Sequence, residues 1–287
     1  MKTIQLITDN EAFKALYFDR ERQALRPNLV FVHHEGWVFF ETNELGLKGD
    51  ALDPSRKLAV VWGDSVVFSV GRGWPCLLDP LAPGWQFLNG GLDGDLYTNV
   101  LTRARELNRR QRVALNVLMP GWHPMDPRTQ LKRDRRLGAR LHRALTGARP
   151  VQVGNRGFRE DLTAFVREVP NTVLVTMPTA LNPRILDQDL SPYLVEGNDE
   201  VRFGFLGILH YSITLQRASY AHIVERNAII RDVAAEAGVP LVDLFKVFDT
   251  TEKADFRDVF YDILHFRPNA YPVVAQRLYG EIKHLLV

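Results

Sequence analysis

From residue 58 onward the chain repeats one pattern: a short, mainly apolar run, then a longer stretch with apolar residues every three or four positions. The runs fall at 58–62, 85–89, 112–118, 172–177 and 239–244. A strand with one wet face alternates apolar with polar residues, so continuous runs of this length point to parallel strands covered on both sides. Between them Leu96, Val100, Ala104 and Leu107 keep helical spacing, as do Phe158, Leu162, Phe165, Val166 and Val169. The same holds for Ile223, Ile230, Val233, Ala234 and Ala237, and for Val274, Leu278, Ile282 and Leu285. Gly238 and Pro240 end the third of these helices. Strand–helix alternation predicts a three-layer α/β/α sandwich around a five-stranded, mostly parallel sheet with right-handed crossovers.

The first 56 residues stand outside this rhythm and read as an N-terminal appendage (1–56) on a main domain (57–287). Within it, 10–23 suits a helix, and 29–33 with 37–40 suits a hairpin around Glu35-Gly36. The stretch 178–209, with three prolines, reads as an insertion over one end of the sheet. No apolar run approaches the roughly 20 residues that span a bilayer. The start, Met1-Lys2-Thr3-Ile4-Gln5, lacks the apolar core of a signal peptide. Cys76 is the only cysteine, which excludes an internal disulfide and a thiolate metal cluster. A cytoplasmic location is the simplest expectation. Eight basic residues against one acid lie between Arg128 and Arg149, with Leu137, Leu141 and Leu145 at helical spacing. This segment reads as a solvated helix face, or alternatively as a dock for an anionic partner. No nucleic-acid motif accompanies it, and nucleic acid is not an expected partner.

Three short motifs carry chemistry. Gly63-Asp64-Ser65 directly follows the first strand and puts a hydroxyl at the carboxyl edge of the sheet, where open α/β sheets bind ligands. A turn or helix cap is the plainer reading of these three residues. Asp262-Ile-Leu-His265 precedes the last helix, and its spacing lets a carboxylate hold an imidazole by Nδ1. Here the plainer reading is a capping aspartate and an incidental histidine. Asn89-Gly-Gly-Leu-Asp-Gly94 follows the second strand and reads as opening a helix, whose amides suit an anion. It also half-matches a dinucleotide fingerprint, but it sits on the second strand and lacks the acid that should follow, so a Rossmann cofactor site is rejected. His33 and His34 point to opposite faces of one strand and cannot easily share a metal. No convincing metal spacing appears elsewhere, and neither a metal nor an organic cofactor is expected.

Together, in this order, the motifs resemble the SGNH or GDSL-type hydrolases, a family of serine esterases, thioesterases and carbohydrate deacetylases with a flavodoxin-like sheet. Gly63-Asp64-Ser65-x5-Gly71 looks like the first family block, Asn89-x4-Gly94-Asp95 the second and Asp262-x2-His265 the last. The resemblance implies Ser65 as nucleophile, His265 as base and Asp262 as its orienting partner. It places the amides of Ser65 and Gly94 in an oxyanion hole. After the third strand the family pattern is Gly-x-Asn-Asp; here Gly121 keeps the glycine's place and His123 falls on the asparagine's. An imidazole N–H can donate as an amide does. The implied activity is hydrolysis of an acetyl or short-chain ester on a small molecule or a carbohydrate. The alternatives are an acyltransferase with the same residues and an impaired binding or scaffold protein. Trp74, Trp85 and Trp122 are candidates for stacking on sugar rings or for core packing.

Overall fold

The computed structural model describes residues 3–7, 18–19, 24–33, 38–121, 155–188, 213–248 and 258–286. Five strands form the central sheet: β6 (Lys57–Gly63), β7 (Trp85–Gly91), β8 (Leu115–Leu118), β9 (Thr172–Val175) and β10 (Leu241–Val242). Their order is β10-β9-β8-β6-β7, and every neighbouring pair is parallel. All five expected strands are present, and the second-first-third-fourth-fifth order is the flavodoxin-like one. The order reverses at β6, so the carboxyl end of β6 lies at the switch point where such sheets form their crevice.

The continuous apolar runs follow from two-sided burial. Ala59, Val61, Val117, Val173 and Val175 face one layer, where Trp74, Leu78, Val274 and Leu278 complete the core. Val60, Trp62, Leu118 and Leu174 face the other, against Val100, Phe158, Leu162, Ile230 and Val233. The second layer comprises helices α2 (Tyr97–Arg110), α3 (Asn155–Glu168) and α4 (Ile213–Ala237). The first holds α6 (Tyr271–Ile282) and a 3₁₀ segment, Trp74–Leu81. Two short helices, α1 (Ser65–Phe68) and α5 (Leu244–Phe248), follow β6 and β10. Gly238 ends α4 at φ +65°, as its place after the last apolar residue predicts.

The N-terminal region differs from the expectation in part. The hairpin is present, as β4 (Leu29–His33) antiparallel to β5 (Val38–Glu41). A strand the periodicity does not reveal, β1 (Thr3–Ile7), adds to it in parallel. The helix expected over 10–23 is interrupted. Phe18–Asp19 is strand β2, paired with β3 (Ala24–Leu25), and this local pairing overrides the helical spacing. Most of 10–23 lies outside the described residues, as do His34, the segment 122–154 with its basic run, and most of 178–209. Residues beyond the hairpin join the main sheet: Lys48 and Asn89 exchange both backbone hydrogen bonds, each 2.9 Å. One further correction concerns the second motif. Asn89 to Gly91 continue β7, and α2 begins only at Tyr97, so the motif ends in a turn rather than opening a helix. Among the described residues no helix is long and apolar enough to cross a membrane.

Candidate active site

The chain leaves β6 at Gly63 and turns at once into α1, with Asp64 as the N-cap. The Asp64 carboxylate accepts the Val66 N–H at 3.1 Å, so the capping reading of this residue holds. Capping fixes Ser65 as the first residue of the helix, at the crevice. The close approach of the neighbouring strand depends on glycine: a Cβ on Gly91 would stand 2.2 Å from the Phe68 nitrogen.

On the far side, the loop 260–266 is folded around Asp262. One carboxylate oxygen accepts the N–H groups of Leu264 (2.8 Å) and His265 (2.7 Å). The other lies 2.7 Å from His265 Nδ1. The opposite ring nitrogen, Nε2, is 2.8 Å from Ser65 Oγ. With the proton on Nδ1, both contacts are satisfied: Nδ1–H donates to Asp262 and Nε2 accepts from the serine hydroxyl. The Tyr261 ring stacks on the imidazole, centroids 5.4 Å apart and planes within 9°, which holds the ring plane. Asp262 is wholly buried, and Ser65 and His265 are 5% and 6% exposed. Burial alone would lower the basicity of His265. The Asp262 charge and hydrogen bond, helped by Asp93 and Asp64, outweigh it and lift the imidazole above its ordinary value.

The structure thus brings Ser65, His265 and Asp262 into one hydrogen-bonded chain, although Ser65 and His265 stand 200 residues apart. Gly94 occupies the β7–α2 turn at φ +67° with open space where a side chain would lie. Among the described residues no main-chain acceptor takes the N–H of Ser65 or of Gly94. Asp95 is engaged by Arg103, 2.5 Å away. Gly121 adopts φ +80°, and a Cβ there would stand 2.6 Å from the Asp64 carboxylate, so the third block abuts the first. His123 and Trp122 lie outside the described residues. Trp74 is fully buried and donates to the Val66 carbonyl at 3.0 Å, and Trp85 is buried in the core. Both serve packing rather than sugar stacking.

Sequence reasoning missed what holds α1 from behind. The carbonyls at the end of this one-turn helix need donors. Asn89 Nδ2 shares its two N–H groups among the carbonyls of Val67 (2.9 Å), Phe68 (3.1 Å) and Arg72 (3.0 Å). Lys48, fully buried, donates to Phe68 O and, at 2.9 Å, to Ser69 O. Its amino group also lies 3.9 Å from the Phe68 ring centre. Burial lowers the lysine to about 7, against weaker upward pulls from Cys76 and Asp93. Nothing local marks a lysine beside Leu47 as buried; the signal is tertiary. Among the described residues no group of three metal-ligating side chains forms.

No family model and no curated protein matches the chain. Solved structures do. An alpha/beta hydrolase enzyme from the metagenome of Lake Arreo, Spain, is similar at TM-score 0.52 and 16% identity, covering 82% of this chain and 98% of that one. A catalytic mutant of an acetylxylan esterase from Geobacillus stearothermophilus is similar at TM-score 0.50 and 15% identity, over 80% and 95%. A protein of Desulfitobacterium hafniense assigned to the G-D-S-L lipolytic family gives TM-score 0.50 and 11% identity, over 78% and 99%. The fold is that of the SGNH hydrolases. At these identities the likeness speaks for the SGNH fold alone.

Proposed function

We propose that this SGNH-fold chain is a serine ester hydrolase working through an acyl-enzyme on Ser65. The observation that carries the reading is the continuous Ser65–His265–Asp262 hydrogen-bond chain. His265 Nε2 takes the hydroxyl proton as Ser65 Oγ attacks the ester carbonyl. Asp262 keeps the imidazole in the tautomer that can accept it and stabilises the imidazolium that results. The tetrahedral oxyanion lies against the N–H groups of Ser65 and Gly94, with His123 as a third donor. His265 then protonates the leaving alkoxide. In the second half it deprotonates water, which attacks the acyl carbonyl, releases the carboxylic acid and returns Ser65 to its hydroxyl form.

The substrate is a short acyl ester, acetyl on a carbohydrate in the leading version. Near-complete burial of Ser65 and His265 favours a small acyl group. An acetylxylan esterase among the similar structures agrees with this choice. Purified chain and its Ser65→Ala variant are assayed on p-nitrophenyl acetate. The variant is expected to lose about 10³-fold or more in kcat; equal rates overturn the reading. On the same substrate, His123→Ala is expected to lower kcat far more than it raises KM, and His123→Asn to keep substantial activity. Products run with excess sugar acceptor separate hydrolysis from acyl transfer.

A further inference from the structure

Arg226 lies on the face of α4 turned toward α2 and α3 and is fully buried. Its guanidinium carbon is 3.9 Å from the ring centre of Phe158 and 4.9 Å from that of Tyr97. Tyr97 is the first residue of α2 and Phe158 lies in the first turn of α3. The cation therefore sits between two helix N-termini, and neither first turn carries an acidic residue. Among the described residues nothing accepts a hydrogen bond from Nε, Nη1 or Nη2. Ser219, seven residues earlier on the same helix face, has a buried hydroxyl that is likewise unpartnered among them.

The neighbouring charges do not supply the missing acceptor. Asp161 takes the Tyr97 hydroxyl at 2.9 Å, Arg159 is held by Asp232 and Glu236, and Glu225 is exposed. Burial lowers Arg226 only to about 10, so the group remains a cation at neutral pH. A buried charge without hydrogen bonds is strongly unfavourable, and its contact with aromatic rings offsets only part of that cost. The Tyr97 and Phe158 rings stand nearly perpendicular, centroids 5.1 Å apart, with the guanidinium carbon over both, and its N–H groups are left without an acceptor among the described residues, as binding of a bidentate oxyanion requires. Both helix dipoles add in the same sense.

We propose that Arg226, with the Ser219 hydroxyl, forms an oxyanion-binding site between the N-termini of α2 and α3, taking a carboxylate or a phosphate. The site stands apart from Ser65 and does not depend on the ester reading. The anion can arrive free or as a charged group on the ester, since Tyr97, at the start of α2, follows Gly94 of the β7–α2 turn by three residues.

The full-length Ser65→Ala chain, which removes turnover from the measurement, is titrated by calorimetry and thermal melting. The probes are inorganic phosphate and succinate, with ionic strength held constant by sodium chloride. Saturable one-site binding is expected for at least one probe, with the melting temperature up by about 3 °C at ten times Kd. Adding Arg226→Met should abolish both signals while the probe-free protein melts at or above its parent, because an unpaired buried charge has been removed. Arg226→Lys should bind at least about tenfold more weakly, having lost the fork. In the Ser65 background, p-nitrophenyl hemisuccinate against p-nitrophenyl acetate reports the source. A loss of kcat/KM in Arg226→Met confined to the anionic ester assigns the site to substrate, and an unchanged ratio assigns it to a free anion. The proposal is overturned by absent or non-saturable binding, or by equal binding in Arg226→Met. It is equally overturned if the probe-free variant melts about 5 °C or more below its parent, since the guanidinium would then already be satisfied.

Discussion

Two buried polar regions lie at the carboxyl edge of the same sheet and are built in opposite ways. At Ser65 the connection is complete: Asp262 has three partners, His265 has one at each ring nitrogen, and α1 is held from behind by Asn89 and Lys48. At Arg226 the cation rests on two rings and the hydrogen-bonding edge is unfilled among the described residues. The difference teaches that burial alone does not define a reaction centre. Mutual pairing aims a proton along one path, whereas an unpaired buried cation is prepared for something that arrives from outside.

The contrast implies that cutting into the paired region is expensive in function. Asp262→Asn preserves shape but removes the charge and the tautomer preference, and kcat on p-nitrophenyl acetate should fall by about 10⁴. A loss under tenfold would break the comparison, because His265 would then act without its partner. Gly121→Ala tests the support beneath it. The new methyl meets the Asp64 carboxylate at a φ of +80°, so the melting temperature should drop by about 5 °C, with kcat falling roughly tenfold. Circular-dichroism melts beside the rate assay check both.

The pH response sharpens the comparison further. His265 must be neutral to take the serine proton, and its surroundings raise it above the ordinary 6.5. The kcat/KM profile should therefore fall tenfold per unit below a midpoint higher than 6.5, and level off above it. A midpoint below 6.5 would mean that burial, not Asp262, governs the ring. The smallest effect belongs to Lys48, lowered to about 7 from 10.5. Above pH 7 the unfolded chain holds the lysine proton that the folded one has released. Stability should therefore rise with pH, by at most about 1.4 kcal/mol per unit. Urea melts from pH 7 to 8.5 should show this slope in the native chain and a flatter one in Lys48→Met.

Legibility in the sequence followed the range of the forces involved. Strands β6 to β10 and helices α2, α3, α4 and α6 are written as apolar periodicity, because two-sided burial demands continuous runs. Gly63-Asp64-Ser65 and Asp262-x2-His265 are equally local, since each depends on the turn that its own residues make. Strand β1 escaped notice because its partner, β4, lies more than twenty residues away and five residues of mixed polarity carry no period of their own. The helix expectation over 10–23 failed at Phe18–Asp19 because pairing with Ala24–Leu25 overrides spacing. The second motif reads as opening a helix, yet the helix starts only at Tyr97, because glycine spacing does not say whether Asn89 to Gly91 continue a strand.

By itself, then, the chain determined a parallel sheet with two covered faces and the identities of the residues that can react. Their meeting across 200 positions was decided only by the sheet order, which puts the end of β6 at the switch point opposite the loop 260–266. The tertiary structure alone also decided that Lys48 lies inside and that Arg226 is buried over the Tyr97 and Phe158 rings at two helix ends. A residue's surroundings are set by chain segments its own neighbours do not encode, and for a charged group those surroundings are the larger part of its energy.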